Sequence, residues 1–191
     1  MMKRIIPFWA CALIACGGQA QTPAAIVVDS IFPVEEEIRR FKAARHDEHA
    51  SELANGALSR DQLVHRFITA LQRADTAALR GLVLDASEFI DLYYPSSIFA
   101  RAPYQQHPEL RWFLIQENSN KGLTRLLRRF SGRPTGFRSY DCAPEPMIEG
   151  KNKLWDRCRV EWDASSAPMR AFSTIIERDG KFKILSYAND L

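Results

Sequence analysis

Between Gly132 and Phe137 the hydrophobic pattern of this chain changes period, and that switch restricts the fold more than any other feature of its 191 residues. Upstream, apolar side chains recur every three or four positions. Downstream, short runs of aromatic and β-branched residues are separated by Gly, Pro and Ser clusters. Helices first and strands afterwards make an α+β chain.

In the helical half, Ser59 stands at an N-cap position with Asp61 in the first turn, where a hydroxyl and a carboxylate meet unpaired N–H groups and the positive end of the helix dipole. Leu63, Val64, Phe67, Ile68 and Leu71 then keep the helical period and predict a buried face. After Ala74, Asp75 is placed to cap a second short helix through Ala78, Leu79 and Leu82. The run Ser87 to Tyr94 suits a helix, but Pro95 at its end suits an extended segment equally. From Pro108, the set Leu110, Phe113, Leu114 predicts one helix and Leu123, Leu126, Leu127, Phe130 another. At about 100° per residue the two stripes face different directions, so Asn118-Ser119-Asn120-Lys121-Gly122 reads as a break between them.

Four strands are expected, over Phe137 to Cys142, Leu154 to Trp162, Arg170 to Arg178 and Lys181 to Ala188. Asp179-Gly180 is a two-residue hairpin signal that sets Ile175 opposite Ile184, Phe172 opposite Tyr187 and Glu177 opposite Phe182. Both faces of this hairpin are apolar, which fits a curved sheet with helices on one side and a cavity on the other. A second hairpin centred near Gly150 would bring Cys142 opposite Cys158.

The N-terminus bears on how those cysteines are used. Lys3-Arg4 followed by the apolar Ile5 to Ala15 has the form of an export signal and is too short for a permanent membrane span. Leu13-Ile14-Ala15-Cys16 resembles the bacterial lipobox, which implies cleavage before Cys16 and acylation of that cysteine. Gly18-Gln19-Ala20 is also a small-x-small site, where ordinary cleavage would release a soluble chain. Either route leads to an oxidising compartment and leaves Cys142 and Cys158 to form a disulfide. Gly17, not Asp, follows Cys16, and in the sorting pattern this resembles, that points to an outer-membrane anchor facing the periplasm. Losing Lys3 and Arg4 takes the basic count from 26 to 24 against 23 acidic residues, so the charge balance offers no case for nucleic acid.

The expected organisation is a signal over residues 1–15, an acylated Cys16 with a spacer over 16–33, a charged helix over 34–56 and a folded domain over 57–191. In the charged helix, Val34, Ile38 and Phe41 form one narrow apolar stripe.

The sequence ALQRADTAALRGLV (Ala70 to Val83), following a capped amphipathic helix, and the closing hairpin ERDGKFKILSY (Glu177 to Tyr187) resemble the nuclear transport factor 2-like superfamily, with Phe182 where a tryptophan usually falls. That resemblance implies a cone-shaped, cystatin-like fold in which helices pack on a strongly curved antiparallel sheet around an apolar pocket. It implies either a non-catalytic module binding a small apolar ligand or serving as scaffold, or a lyase or isomerase that abstracts a proton in the pocket. Dimerisation through the sheet is a further expectation.

No catalytic residue is assigned; the residues available to line a pocket are His65, Asp91, Tyr93 and Tyr94, with Asp91 read either as a base flanked by Tyr94 or as a solvent-facing carboxylate beside core-edge tyrosines. His46, His49 and Glu52 share a helical face but lack a third distant partner for a metal, and no metal or cofactor is expected. Arg111, Lys121, Arg125, Arg128, Arg129, Arg133 and Arg138 make a basic stretch, read as a solvated face or a surface for an anionic lipid, glycan or acidic partner.

Overall fold

The computed structural model describes residues 32–45, 49–163 and 167–189. The expected export signal, Cys16, most of the expected spacer and His46 lie outside the described residues. Among the described residues the fold is α+β, with five α-helices, a two-stranded and a four-stranded sheet, both antiparallel, and no closed barrel.

Helix α1 (Val34–Arg45) ends earlier than the charged segment suggested. The chain beyond it is held open by two carboxylates, because the N–H of Ala50 donates to Asp91 at 2.8 Å and that of Ala54 donates to Glu88 at 2.7 Å. A backbone donor bonded to a side chain is unavailable to a helical carbonyl. Helix α2 (Arg60–Gln72) starts at Ser59, whose Oγ accepts from the Gln62 N–H at 3.0 Å. Helix α3 (Thr76–Gly81) starts at Asp75, which accepts from Ala78. The ambiguous run resolves as helix: α4 (Ala86–Glu88), capped by Asp85, passes into a π-helical turn over Phe89–Tyr93 and then a 3-10 turn over Tyr94–Ser96.

Helix α5 (Pro108–Phe130) is continuous through the expected break. Trp112, Ile115, Leu123, Leu126 and Phe130 are its buried apolar side chains, and at 100° per residue they fall within an arc of about 80°. Leu110, Phe113 and Leu114, the apolar set expected to define a separate first helix, are exposed on the same continuous helix. The polar stretch between the two halves is where the end of the chain docks. Ser119 Oγ accepts from the Tyr187 N–H at 3.3 Å and Asn118 Oδ1 accepts from Asn189 Nδ2 at 2.6 Å. A side chain on Gly122 would collide with the carbonyl of Ala188. Gly122 is therefore a close approach of two backbones and not a helix end.

The strands are β1 (Phe137–Asp141), β2 (Met147–Glu149), β3 (Asn152–Trp155), β4 (Arg159–Trp162), β5 (Ile175–Arg178) and β6 (Lys181–Ile184). The expected single strand Leu154 to Trp162 is two, because Arg157 takes a left-handed φ of 53°. Its halves join different sheets: β1 pairs β4, and the larger sheet runs β2-β3-β5-β6. The Asp179-Gly180 turn, with φ of 50° and 75°, sets Ile175 opposite Ile184, Glu177 opposite Phe182 and Phe172 opposite Tyr187, as the dipeptide demanded. Pairing of Asp141 with Arg159 brings the next residues, Cys142 and Cys158, to disulfide distance. Closing a loop of 16 residues is worth about 3 kcal/mol in the loop-entropy model.

The larger sheet separates two cores. On one face Ile175 and Ile184 meet Phe67, Leu71, Phe130, Trp162 and Tyr187. On the other Leu154, Ile176 and Leu185 meet Phe41, Phe89, Tyr93, Tyr94 and Trp112. The face expected to close an open cavity is filled by aromatic side chains: Phe89 contacts Phe41, Tyr93, Tyr94 and Trp112 with ring centroids 5.1 to 6.0 Å apart. Buried apolar area at about 25 cal/mol per Å² favours this filling over a water-filled pocket.

Candidate functional site

The sequence candidates part company in the structure. Asp91 sits in the π-helical turn with its carboxylate only 3% exposed. It accepts from the Ala50 N–H, lies 2.9 Å from His49 Nδ1 and pairs with the Lys42 ammonium. Burial alone pushes this carboxyl up, but Lys42, the Ala50 N–H and the His49 ring together outweigh it and hold the group below its ordinary value of 3.8. A base that is paired on every side and held ionised is a structural anchor; a general base needs a proton affinity raised towards neutrality.

The Tyr94 side chain is engaged elsewhere. Its hydroxyl donates to the Gln106 carbonyl at 2.6 Å, and burial together with the nearby Glu37 carboxylate pushes it up to about 12. Tyr93 is raised as well, chiefly by burial and also by the Glu149 carboxylate, against the opposing effect of Arg111. His49 and Glu52 also do not share a helical face. His49 and Glu52 lie beyond the end of α1, with His49 on Asp91 and Glu52 on Lys181 at 2.6 Å, and no cluster of ligating side chains occurs among the described residues.

His65 lies elsewhere, on α2, with its ring edge-on to Phe137 at 6.1 Å. There it lines a groove of about 480 Å³ between α2 and α3. Ala70, Ala78 and Leu82 give the groove apolar surface, and Arg66, Arg73 and Thr69 bring polar groups to it. One Arg66 nitrogen is fixed on the Asn55 carbonyl at 2.9 Å, which leaves its other donors free. Asp75, the one carboxylate on the lining, is committed to capping α3. Two guanidinium groups and an imidazole over an apolar surface are chemically matched to a small molecule that carries an anionic group. Gln62, Arg66, Thr69 and Arg73 recur at helical spacing opposite the apolar stripe of α2, which is the sequence signal for this face.

A second crevice, of about 290 Å³, lies between α5 and the end of the sheet, with Trp112, Leu123, Leu185 and Tyr187 among its lining. Deeper in the fold, Glu88 and Lys183 form an ion pair that is 1% and 5% exposed, at 2.7 Å. Glu88 also accepts from the Ala54 and Asp85 N–H groups, so it ties α4, the 49–54 segment and β6 together.

The basic stretch divides. The Arg111 guanidinium covers the Phe99 ring at 3.8 Å, and Arg138 pairs with Asp163. The remaining members belong to α5 and the turn that follows it.

Comparison with protein families, with curated proteins and with solved structures finds no match.

Proposed function

We propose that this chain is an envelope lipoprotein, anchored through an acylated Cys16, whose domain is a non-catalytic module of the nuclear transport factor 2-like kind. Its ligand is a small anionic molecule with an apolar part, held in the groove between α2 and α3. The groove of about 480 Å³ carries this reading, since Arg66, Arg73 and His65 converge there while the inner face of the sheet is filled by aromatic rings. The order of a capped helix, a short second helix and a closing Asp-Gly hairpin supports the cone-shaped family reading. Proton abstraction by Asp91 is the weaker alternative, because Lys42, His49 and Ala50 already occupy that carboxylate. Self-association through the sheet would have to use the edge strand β2, where Met147 and Ile148 are exposed, because both faces of the inner strands are covered.

Native mass spectrometry of the protein purified from its envelope tests the binding role directly. A co-purifying small anion that is lost in Arg66→Ala/Arg73→Ala, with the melting temperature unchanged, is the expected result. A ligand retained in that double variant would overturn the groove. For the anchor, wild-type protein should incorporate radiolabelled palmitate and Cys16→Ser should not; a soluble chain beginning at Gln21 would overturn it.

A further inference from the structure

The outward face of α5 joins two features that the sequence separated. At 100° per residue, Leu110, Phe113, Leu114, Glu117, Lys121, Thr124, Arg125 and Arg128 lie within an arc of about 120°, directly opposite the buried set. The first part of this face is apolar, with Leu110, Phe113 and Leu114 exposed by 51%, 56% and 38%. Three large apolar side chains in one patch of a helix surface mark a contact surface, whereas scattered single ones need no explanation.

The second part is cationic. Lys121 is paired with Glu117 at 3.2 Å, but Arg125 and Arg128 have no acidic partner among the described residues. Together with Asn120, Lys121 and Thr124 they line a shallow depression of about 300 Å³. Glu109, the other carboxylate near the start of the helix, is taken by Arg45. The face therefore carries cations at one end and apolar side chains at the other, with one carboxylate between them.

We propose that this face of α5 docks the domain on an anionic lipid surface, with Leu110, Phe113 and Leu114 entering the boundary between headgroups and acyl chains and Lys121, Arg125 and Arg128 meeting lipid phosphates. Charge complementarity selects the partner. Unpaired arginines beside an open depression fit phosphate oxygens, and the apolar side chains project from a convex helix surface, which suits insertion into lipid. An acidic protein surface would satisfy the arginines and leave the Leu-Phe-Leu patch in water. The docking does not depend on acylation of Cys16, so it stands or falls separately from the anchor and from the groove.

The test is flotation of the full chain, carrying Cys16→Ser to remove acylation, with vesicles of phosphatidylglycerol and phosphatidylcholine or of phosphatidylcholine alone. The parent should partition preferentially to the anionic vesicles. Each cation near such a surface is worth about fivefold in partition, so Arg125→Glu/Arg128→Glu should remove at least tenfold of that preference. Leu110→Ser/Phe113→Ser should weaken the binding that survives high salt. All four positions are exposed, so the melting temperature should not move. Equal partition to both vesicles, or an anionic preference untouched by both double variants, overturns the proposal. So does capture of an acidic protein that depends on Arg125 and Arg128 while vesicle binding does not.

Discussion

Gly122→Ala sets helix propensity against tertiary packing, and the two predict opposite signs. Gly122 lies inside the 23-residue helix α5, where propensity alone makes alanine more stable by about 1 kcal/mol. In this fold the added Cβ would collide with the Ala188 carbonyl and lie 3.0 Å from the carbonyl carbon of Tyr187. Those atoms are backbone, so relief requires the chain from Tyr187 to Asn189 to lift off the helix or α5 to shift. Overpacking of this kind costs about 1–3 kcal/mol. Lifting the segment also gives up the Ser119 hydrogen bond to Tyr187 and the Asn118–Asn189 pair, which adds about 1 kcal/mol. Set against the propensity gain, the net expectation is a loss of about 2 kcal/mol, seen as a fall in melting temperature of about 4–8 °C for a domain of this size. Gly81→Ala is the control, because a Cβ there meets nothing within 4 Å. It should be neutral or slightly stabilising. Thermal melts of the two variants followed by circular dichroism decide the matter: if Gly122→Ala melts higher than wild type, α5 does not pack on the chain end as described.

Two more predictions follow from the buried charges. Because Asp91 is held below its ordinary value of 3.8, its contribution to stability is complete above that pH and is lost as pH falls through the lower folded value. Melts between about pH 6 and pH 2.5 should show this acid-sensitive component disappear in Asp91→Asn; an unchanged pH profile in that variant would remove Asp91 from the account. Lys183→Met leaves the Glu88 carboxylate buried without its cation and should cost about 3 kcal/mol in urea unfolding. Adding Glu88→Gln, which removes the buried charge and keeps one carbonyl acceptor for either the Ala54 or the Asp85 N–H group, should recover part of that loss, whereas simple additivity would argue against a coupled pair.

The features legible in the chain were those whose physics is local. Ser59 and Asp75 cap their helices because the hydroxyl or carboxylate reaches an N–H three residues away. Asp179-Gly180 sets the hairpin register because both residues accept positive φ, and the register carries through to Phe172 and Tyr187. The approach of Cys142 to Cys158 follows from pairing symmetry about Gly150. Of the candidate site, the polar face of α2 with Arg66 and Arg73 could be read from helical spacing.

What the tertiary structure decided involves groups far apart in sequence. Asn118 to Gly122 has the composition of a break, yet it forms helix because its polar side chains and missing Cβ receive a segment nearly seventy residues later. Leu110, Phe113 and Leu114 are as apolar as Trp112 and Ile115, and only the position of the sheet determines which set is buried. Asp91 lies 41 residues from the backbone N–H it accepts, and no local pattern distinguishes a carboxylate that will act as a base from one that will hold a loop. Local stereochemistry and hydrophobic period write the elements and their turns, while burial, close approach and charge pairing depend on what the rest of the chain brings alongside.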